Sequence, residues 1–236
     1  MYSDLIQRLR CVRPHAPSGL VVVADESTGR DIRRGVLGCP VCDAHYPIRD
    51  GVADFTRVDA DEERTSEAAR DASGTPSREP ERTRNAMEEE VLRAAALLDL
   101  STPGGVVVLA GEWGALAAPL AHVADRVSVM AVNAARDTEG RAEPGVSFAR
   151  AAELPLMAGS ARAAMLDAEH ATGEWLRSAV DALRPGGRLV APAGVPLPAG
   201  VHELAHDARQ WVAERDAGPD TLPLVALGVK RARPAP

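Results

Sequence analysis

Apolar side chains in this chain fall into two regimes, separated by a stretch that has almost none. Between Leu20 and Ile48 they come in short runs: LVVVA at 20–24, VLGCPVC at 36–42, and Tyr46–Ile48, followed by Asp50-Gly51. Runs of this length predict short strands, the second entering a tight cysteine-bearing turn, with Asp50-Gly51 as a further turn. From Thr56 to Arg84 large apolar residues nearly vanish, and Glu, Arg, Ser, Thr and Pro dominate. Such a segment buries too little surface to offset its ordering entropy, which predicts a flexible acidic linker at 57–84. Order is predicted to resume at Asn85, which with Glu88 fits an N-terminal capping pattern. Met87, Val91, Leu92, Ala95 and Leu98 then recur at helical spacing, and the helix should stop before Pro103-Gly104-Gly105. The continuous apolar run Val106–Ala110 is what a parallel strand covered on both faces requires. Further strands are predicted at 127–132, 146–149, 163–166 and 188–191, with helical stretches near 114–124 and 174–184. This alternation implies βαβ units and a mostly parallel, Rossmann-like α/β sheet at 85–236, behind a small β module at 1–56. A linker of nearly thirty residues would let the two parts pack together or stand apart.

At 236 residues the chain can build one good-sized core plus a small accessory module. No apolar run approaches the roughly 20 residues that span a bilayer, and the opening MYSDLIQRLRC lacks the apolar centre of a secretory signal. A soluble, cytoplasmic protein is the expectation. Net charge is −7, which disfavours non-specific attraction to nucleic acid or anionic membrane. The excess is uneven: residues 1–58 carry eight Arg against seven acids, whereas 59–90 carry five Arg against eleven. Arg8, Arg10, Arg13, Arg33 and Arg34 offer an alternative, a nucleic-acid-binding module. With seven acids alongside, they read better as a solvated surface, and aromatics at 3% are too few for a base-stacking platform. One Lys against 26 Arg, with abundant Ala, suggests a GC-rich genome.

The sharpest chemical signal is Cys11-x3-His15 followed, after 23 residues, by Cys39-Pro-Val-Cys42. Two short knuckles far apart in sequence can close a tetrahedral zinc site, substituting for the core that so small a module hardly builds alone. Cys11, His15, Cys39 and Cys42 are therefore the candidate ligands of a structural zinc. His45, beside the second knuckle, competes for the fourth position, and a site that has lost that position is a third possibility.

Residues 4–55 resemble the short zinc-ribbon family that includes the activator subunit of tRNA and protein methyltransferases. DLIQRLRCVRP and GVLGCPVCDAHYPIRDGVADF carry the resemblance, above all Cys-x2-Cys-x3-Tyr-Pro-Ile-x-Asp-Gly-Val. In bacteria such ribbons also occur fused ahead of methyltransferase domains. The family would usually place a second Cys where this chain has Pro14-His15. The resemblance implies a ribbon fold and a possible protein partner met through the ribbon.

Residues 87–232 resemble a class I S-adenosylmethionine-dependent methyltransferase, through VVVLAGEWGALAAPLA, RVSVMAVNAA, VSFARAAELPLMAGSARAAML and ALRPGGRLVAPAG. The resemblance implies a cofactor turn after the first strand of pattern Gly-x-Gly-x-Gly, where this chain reads Ala110-Gly111-Glu112-Trp113-Gly114. Glu112 would add bulk and charge where a carboxylate is expected. Asn133 stands where an acid would accept the ribose hydroxyls, Ala151-Ala152 where an Asp lies near adenine, and Arg162 where another opens the fourth strand. Gly111, Glu112, Gly114 and Asn133 are the candidate cofactor residues. The four changes together read as a reshaped site, with the glycines serving only a tight turn. Trp113 could fill the pocket, stack on a different ligand, or belong to the core. No catalytic base or nucleophile stands out. The leading expectation is a non-catalytic, partner-binding methyltransferase-like protein. The rival is a working methyltransferase of unknown acceptor.

His202-Glu203-Leu204-Ala205-His206 is a literal HExxH, which on a helix would bind catalytic zinc. No third ligand or apolar helix surrounds it. As strands, VHELAH and QWVAER would instead form the hairpin that closes a methyltransferase sheet before LPLVALGVKR. A helix also remains open, since Leu204, Trp211, Val212 and Arg215 would share one face.

Overall fold

The computed structural model describes residues 1–56, 81–140 and 142–218, leaving out the side chains of 81–84. The short apolar runs of the N-terminal module become a meander. After a one-turn helix, α1 (Ser3–Ile6), come β1 (Val21–Thr28), β2 (Asp31–Gly38), β3 (His45–Arg49) and β4 (Val52–Asp54), each antiparallel to the last. Asp50 and Gly51 connect the paired Arg49 and Val52 with φ of +52° and +82°, the left-handed backbone that a two-residue hairpin demands.

Beyond the linker, α2 (Glu81–Leu97) leads to β5 (Val106–Ala110), and a 3₁₀ turn at Gly111–Leu116 feeds α3 (Ala117–Val123). Then follow β6 (Ser128–Val132), β7 (Val146–Arg150), β8 (Ala161–Met165), α4 (Gly173–Ala182) and β9 (Leu183–Pro192). A hairpin of β10 (Val201–His206) and β11 (Gln210–Arg215) ends the described chain. Strands β7, β6, β5, β8 and β9 lie side by side in parallel, and β11 joins antiparallel to β9. Every residue of β5 is buried, as its unbroken apolar run predicts. The chain runs outward from β5 on one side and returns to β8 on the other, so the carboxyl ends of β5, β6 and β8 frame a topological switch point.

The module and the α/β part are one sheet. β4 pairs in parallel with β7 through Val52–Phe148, Ala53–Ala149 and Asp54–Arg150, giving eleven strands in the order β1-β2-β3-β4-β7-β6-β5-β8-β9-β11-β10. On one face, Val91, Ala94 and Leu98 of α2 and Leu120 of α3 pack on the central strands. On the other, α4 shares its core with Leu5 and Leu9 of the module. The β7-to-β8 connection (151–160) carries no helix, and the module's first residues take that place. Arg10 N–H donates to Pro155 O at 2.9 Å, and Met157 N–H donates to Arg8 O at 2.7 Å. Leu9 and Leu156, both buried, face each other across this bridge.

Several boundaries differ from the sequence reading. α2 starts at Glu81, so Asn85 lies inside the helix and does not cap it. Its core face is Val91, Ala94 and Leu98, while Met87 and Leu92 point outward. β9 starts at Leu183 because Pro185-Gly186-Gly187 bulges within the strand: Ala161 pairs with Leu183, and the next pair is Ala163 with Arg188. Residues 57–80 of the linker and the expected last strand LPLVALGVKR lie outside the described residues. No helix among the described residues is long and apolar enough to cross a membrane.

Candidate metal centre and ligand cleft

The two knuckles meet. One ligand atom from each of Cys11, His15, Cys39 and Cys42 lies within 4.8 Å of all the others. A tetrahedral zinc with Zn–S of about 2.3 Å and Zn–N of about 2.0 Å has S···S edges near 3.8 Å and S···N edges near 3.5 Å. Cys11 Sγ and Cys42 Sγ are 3.7 Å apart, and Cys39 Sγ and His15 Nε2 are 3.4 Å apart. His15 Nδ1 donates to Ala16 O at 2.6 Å, which leaves the Nε2 lone pair for a metal. His45 is exposed on β3 and lies outside the cluster. The donor set fits zinc, with no open side for a substrate ligand among these four.

Electrostatics singles out Cys39 as the thiolate, since the Ala44 amide pulls the Cys42 thiol down but desolvation and the Cys39 and Cys11 sulfurs outweigh it and hold it up. Burial pushes the Cys39 thiol up, but the amides of Val41 and Cys42 and the thiols of Cys42 and Cys11 outweigh it and hold its pKa at about 6. Cys11 is buried, and the hydroxyl of Tyr46, 0% exposed, lies 3.1 Å from its sulfur. That hydroxyl accepts from Val12 N–H at 3.3 Å, which aims its own proton at the sulfur. Tyr46→Phe keeps the buried ring and deletes this donor. We expect metal affinity, measured by chelator competition, to fall by about tenfold with one metal still bound per chain. Unchanged affinity would show that the hydroxyl contributes only to packing.

The arginines considered for nucleic acid are largely engaged in joining the module to the sheet. Arg8 donates to Ser160 O, Arg10 to Leu156 O and to Glu153 Oε1 at 3.0 Å, and Arg33 to Gly140 O at 2.9 Å.

The switch-point cleft is built from side chains that bond one another. β5 ends at Ala110, and Gly111 turns the chain with φ +61°; a Cβ there would sit 1.8 Å from Asp167 Oδ2. Asp167, just past β8, accepts from Glu112 N–H at 2.9 Å through Oδ2. Its Oδ1 accepts from His170 N–H at 3.0 Å and from His170 Nδ1 at 2.6 Å. Asn133, at the end of β6 with φ +54°, pairs with Ala151: its Nδ2 donates to Ala151 O at 2.8 Å, and its Oδ1 accepts from Ala151 N–H at 3.0 Å. That pairing fixes the amide's orientation, so the contact of Asn133 Nδ2 with His170 Nε2 at 3.0 Å makes Nε2 the acceptor. His170 therefore carries its proton on Nδ1, facing Asp167. The imidazole stands edge-on to Trp175, with ring centres 4.7 Å apart. Burial pushes the Asp167 carboxyl up, but the Glu112 amide and the His170 imidazole and amide outweigh it and hold it below the usual carboxylate range.

Two sequence expectations are corrected by this geometry. The Glu112 side chain is exposed and its backbone N–H is what bonds Asp167, so its charge is solvated and not buried at the turn. Arg162 is near the amino end of β8, away from the cleft; it is buried and binds the carbonyls of Asp99, Thr102 and Gly104 at the α2–β5 turn. Gly114 is needed for contact, since a Cβ would meet that of Ala134 at 2.5 Å. Trp113 is half-buried against the core of the α2–α3 face. Asp167 and His170 were missed by the sequence reading. The available signal was an acid directly after the apolar run at 163–166, at the end of a parallel strand where ligands bind.

No protein-family model matches the chain, and no curated protein matches it in sequence. Among solved structures it is similar to the antibiotic-resistance methyltransferase Kmr, with 20% identity and a TM-score of 0.41 over 53% of this chain and 93% of that one. A structure from the complex containing the Haloferax volcanii Trm112 methyltransferase activator matches at 13% identity and TM-score 0.42, over 57% of this chain and 93% of that one. An S-adenosylmethionine-dependent methyltransferase from Mesorhizobium loti matches at 23% identity and TM-score 0.37, over 54% and 64%. The fold shown is a mixed α/β, Rossmann-like one with a largely parallel central sheet. Within it the HExxH stretch is strand β10, not a helix. His202 bonds Asp216 at 2.8 Å and His206 bonds Glu203 at 2.7 Å, so the imidazoles do not converge on a metal.

Proposed function

We propose that this chain is a methyltransferase-fold protein that does not transfer methyl groups and acts by binding a partner, with the metal-holding module as a fixed part of its sheet. The observation that carries the reading is the closed polar network at the switch point. The Glu112 amide, both Asp167 oxygens, both His170 ring nitrogens, the Asn133 amide and the Ala151 backbone are already paired with one another. A nucleoside ligand would have to break these bonds before making its own. Bonds to a charged group contribute about 1.5–3 kcal/mol each, so displacing Asp167 alone would weaken binding by a factor on the order of 10² or more. The partner would meet the module at β1, the end strand of the sheet, whose outer edge is unpaired among the described residues and whose Val21 and Val23 are exposed.

Calorimetric titration of the metal-loaded full chain with S-adenosylmethionine and S-adenosylhomocysteine tests the reading. The expected result is no heat and no thermal shift at millimolar ligand. Micromolar binding of either would overturn it and favour the second reading, a working class I methyltransferase of unknown acceptor. That second reading draws on the retained left-handed turn at Gly111.

A further inference from the structure

Two buried side-chain nitrogens among the described residues have no hydrogen-bond partner, Trp113 Nε1 and Gln210 Nε2. Both residues line the same cavity, of about 380 Å³. It lies beyond the Asp167–Glu112 contact, over the ends of β8 and β9; Gly111, Gly114 and Asn133 take no part in its lining. Its floor is apolar, from Leu166, Val190 and Ala191, and Arg93 and Arg209 stand at its wall. A volume of this size holds a small molecule.

An unpaired buried donor costs about 1–3 kcal/mol, and native proteins carry few of them. Gln210 is 6% exposed, locked in β11 by its pairing with Pro192 of β9. Neither nitrogen is open to bulk solvent, and neither has a partner among the described residues. The charged groups around the space are unequal in what they have left to give. Both Asp167 oxygens are committed to Glu112 and His170. The Glu112 side chain is exposed, and Arg93 is tied to Asp207 at 2.8 Å. The Arg209 guanidinium makes no hydrogen bond within the described residues. The Gln210 amide, the indole N–H and Arg209 are thus three donors without an acceptor among the described residues, beside an apolar floor and with the Glu112 carboxylate at the exposed rim.

We propose that this cavity binds a small molecule with an apolar ring and a carboxylate. The ring lies on Leu166 and Val190 beside the Trp113 indole. The carboxylate draws the Gln210 amide and the indole N–H toward itself and accepts from Arg209. The site adjoins the switch-point cleft across Asp167 and Glu112, but Gly111, Gly114 and Asn133 lie outside it, so its test does not depend on whether S-adenosylmethionine binds in the cleft.

The test follows the indole N–H resonances of Trp113, Trp175 and Trp211 in the full chain by ¹H–¹⁵N NMR, with Trp113→Phe identifying the first. Benzoate, indole-3-carboxylate and hexanoate are the probes, and benzyl alcohol is the uncharged control. We expect the Trp113 resonance to move saturably with benzoate or indole-3-carboxylate, and benzyl alcohol to bind at least about tenfold more weakly. Gln210→Leu and Arg209→Gln should each weaken carboxylate binding by about fivefold or more and leave benzyl alcohol unchanged. Should Gln210→Leu fail to fold, Arg209→Gln on the exposed rim carries the comparison. A Trp113 resonance that stays still with every carboxylate overturns the proposal. Equal response to the alcohol, or to carboxylate in Arg209→Gln, overturns it too.

Discussion

Replacing Cys42 by Ser should abolish stoichiometric zinc binding and lower the thermal midpoint of the whole protein by at least about 10 °C. Cys42 is exposed, so the substitution removes a ligand and disturbs little packing. Structural zinc sites in small modules supply on the order of 10 kcal/mol, and a chain of this size shifts by about 2–4 °C per kcal/mol. Loss of one of four ligands, costing several kcal/mol, therefore gives a large shift. The melting curve should remain a single transition, because β4 is hydrogen-bonded to β7 and Leu5 and Leu9 share a core with α4. A low-temperature shoulder over an unmoved main transition would mean that the module melts by itself. Metal analysis alongside circular dichroism separates the two outcomes.

Gly111→Ala is expected to be almost as damaging, by about 3–5 kcal/mol. The left-handed backbone at φ +61° costs a residue with a Cβ about 1–2 kcal/mol. The new carbon would also fall 1.8 Å from Asp167 Oδ2, and a carboxylate held by three N–H groups gives way only by losing some of them. The decisive comparison is a double-mutant cycle in urea. Asp167→Ala removes the obstructing carboxylate, so adding Gly111→Ala to it should cost the backbone term and only the milder 2.8 Å approach to His170 Nδ1. The coupling should be about 1.5 kcal/mol or more. Additive effects would show that Asp167 does not occupy the space above Gly111 in solution.

Much of this architecture can be read from the chain. β5 and β6 are legible because burial on both faces demands unbroken apolar runs, and the knuckles because a metal needs its ligands at fixed spacing. β4 is not legible. It is three residues long, and its partner Phe148 is 96 positions from Val52, so no local pattern marks the seam. The cleft was partly legible. Asn133 stands at the end of the second strand as expected, but the amide's commitment to Ala151 depends on how two loops meet. The resemblance places the acid of the fourth strand at its opening, where Arg162 clamps a turn, whereas Asp167 lies at its other end. The direction of the Glu112 side chain was hidden for a related reason. A 3₁₀ turn has three residues per turn and exposes every third position, here Glu112 and Ala115, in a way that the spacing of glycines does not encode.

The β4–β7 seam also imposes an order of events during synthesis. Residues 52–54 are made long before their partners at 148–150, and at about 5–20 residues per second the wait is roughly 5–20 s. Throughout that interval the nascent module has an unpaired strand edge, and Leu5 and Leu9 lack the part of their core that α4 supplies. Metal capture by the two knuckles, complete once Cys42 emerges, would add to the module's own strand pairing in that window. Zinc supply during translation would then govern how much chain escapes aggregation, before any question of what the finished protein binds.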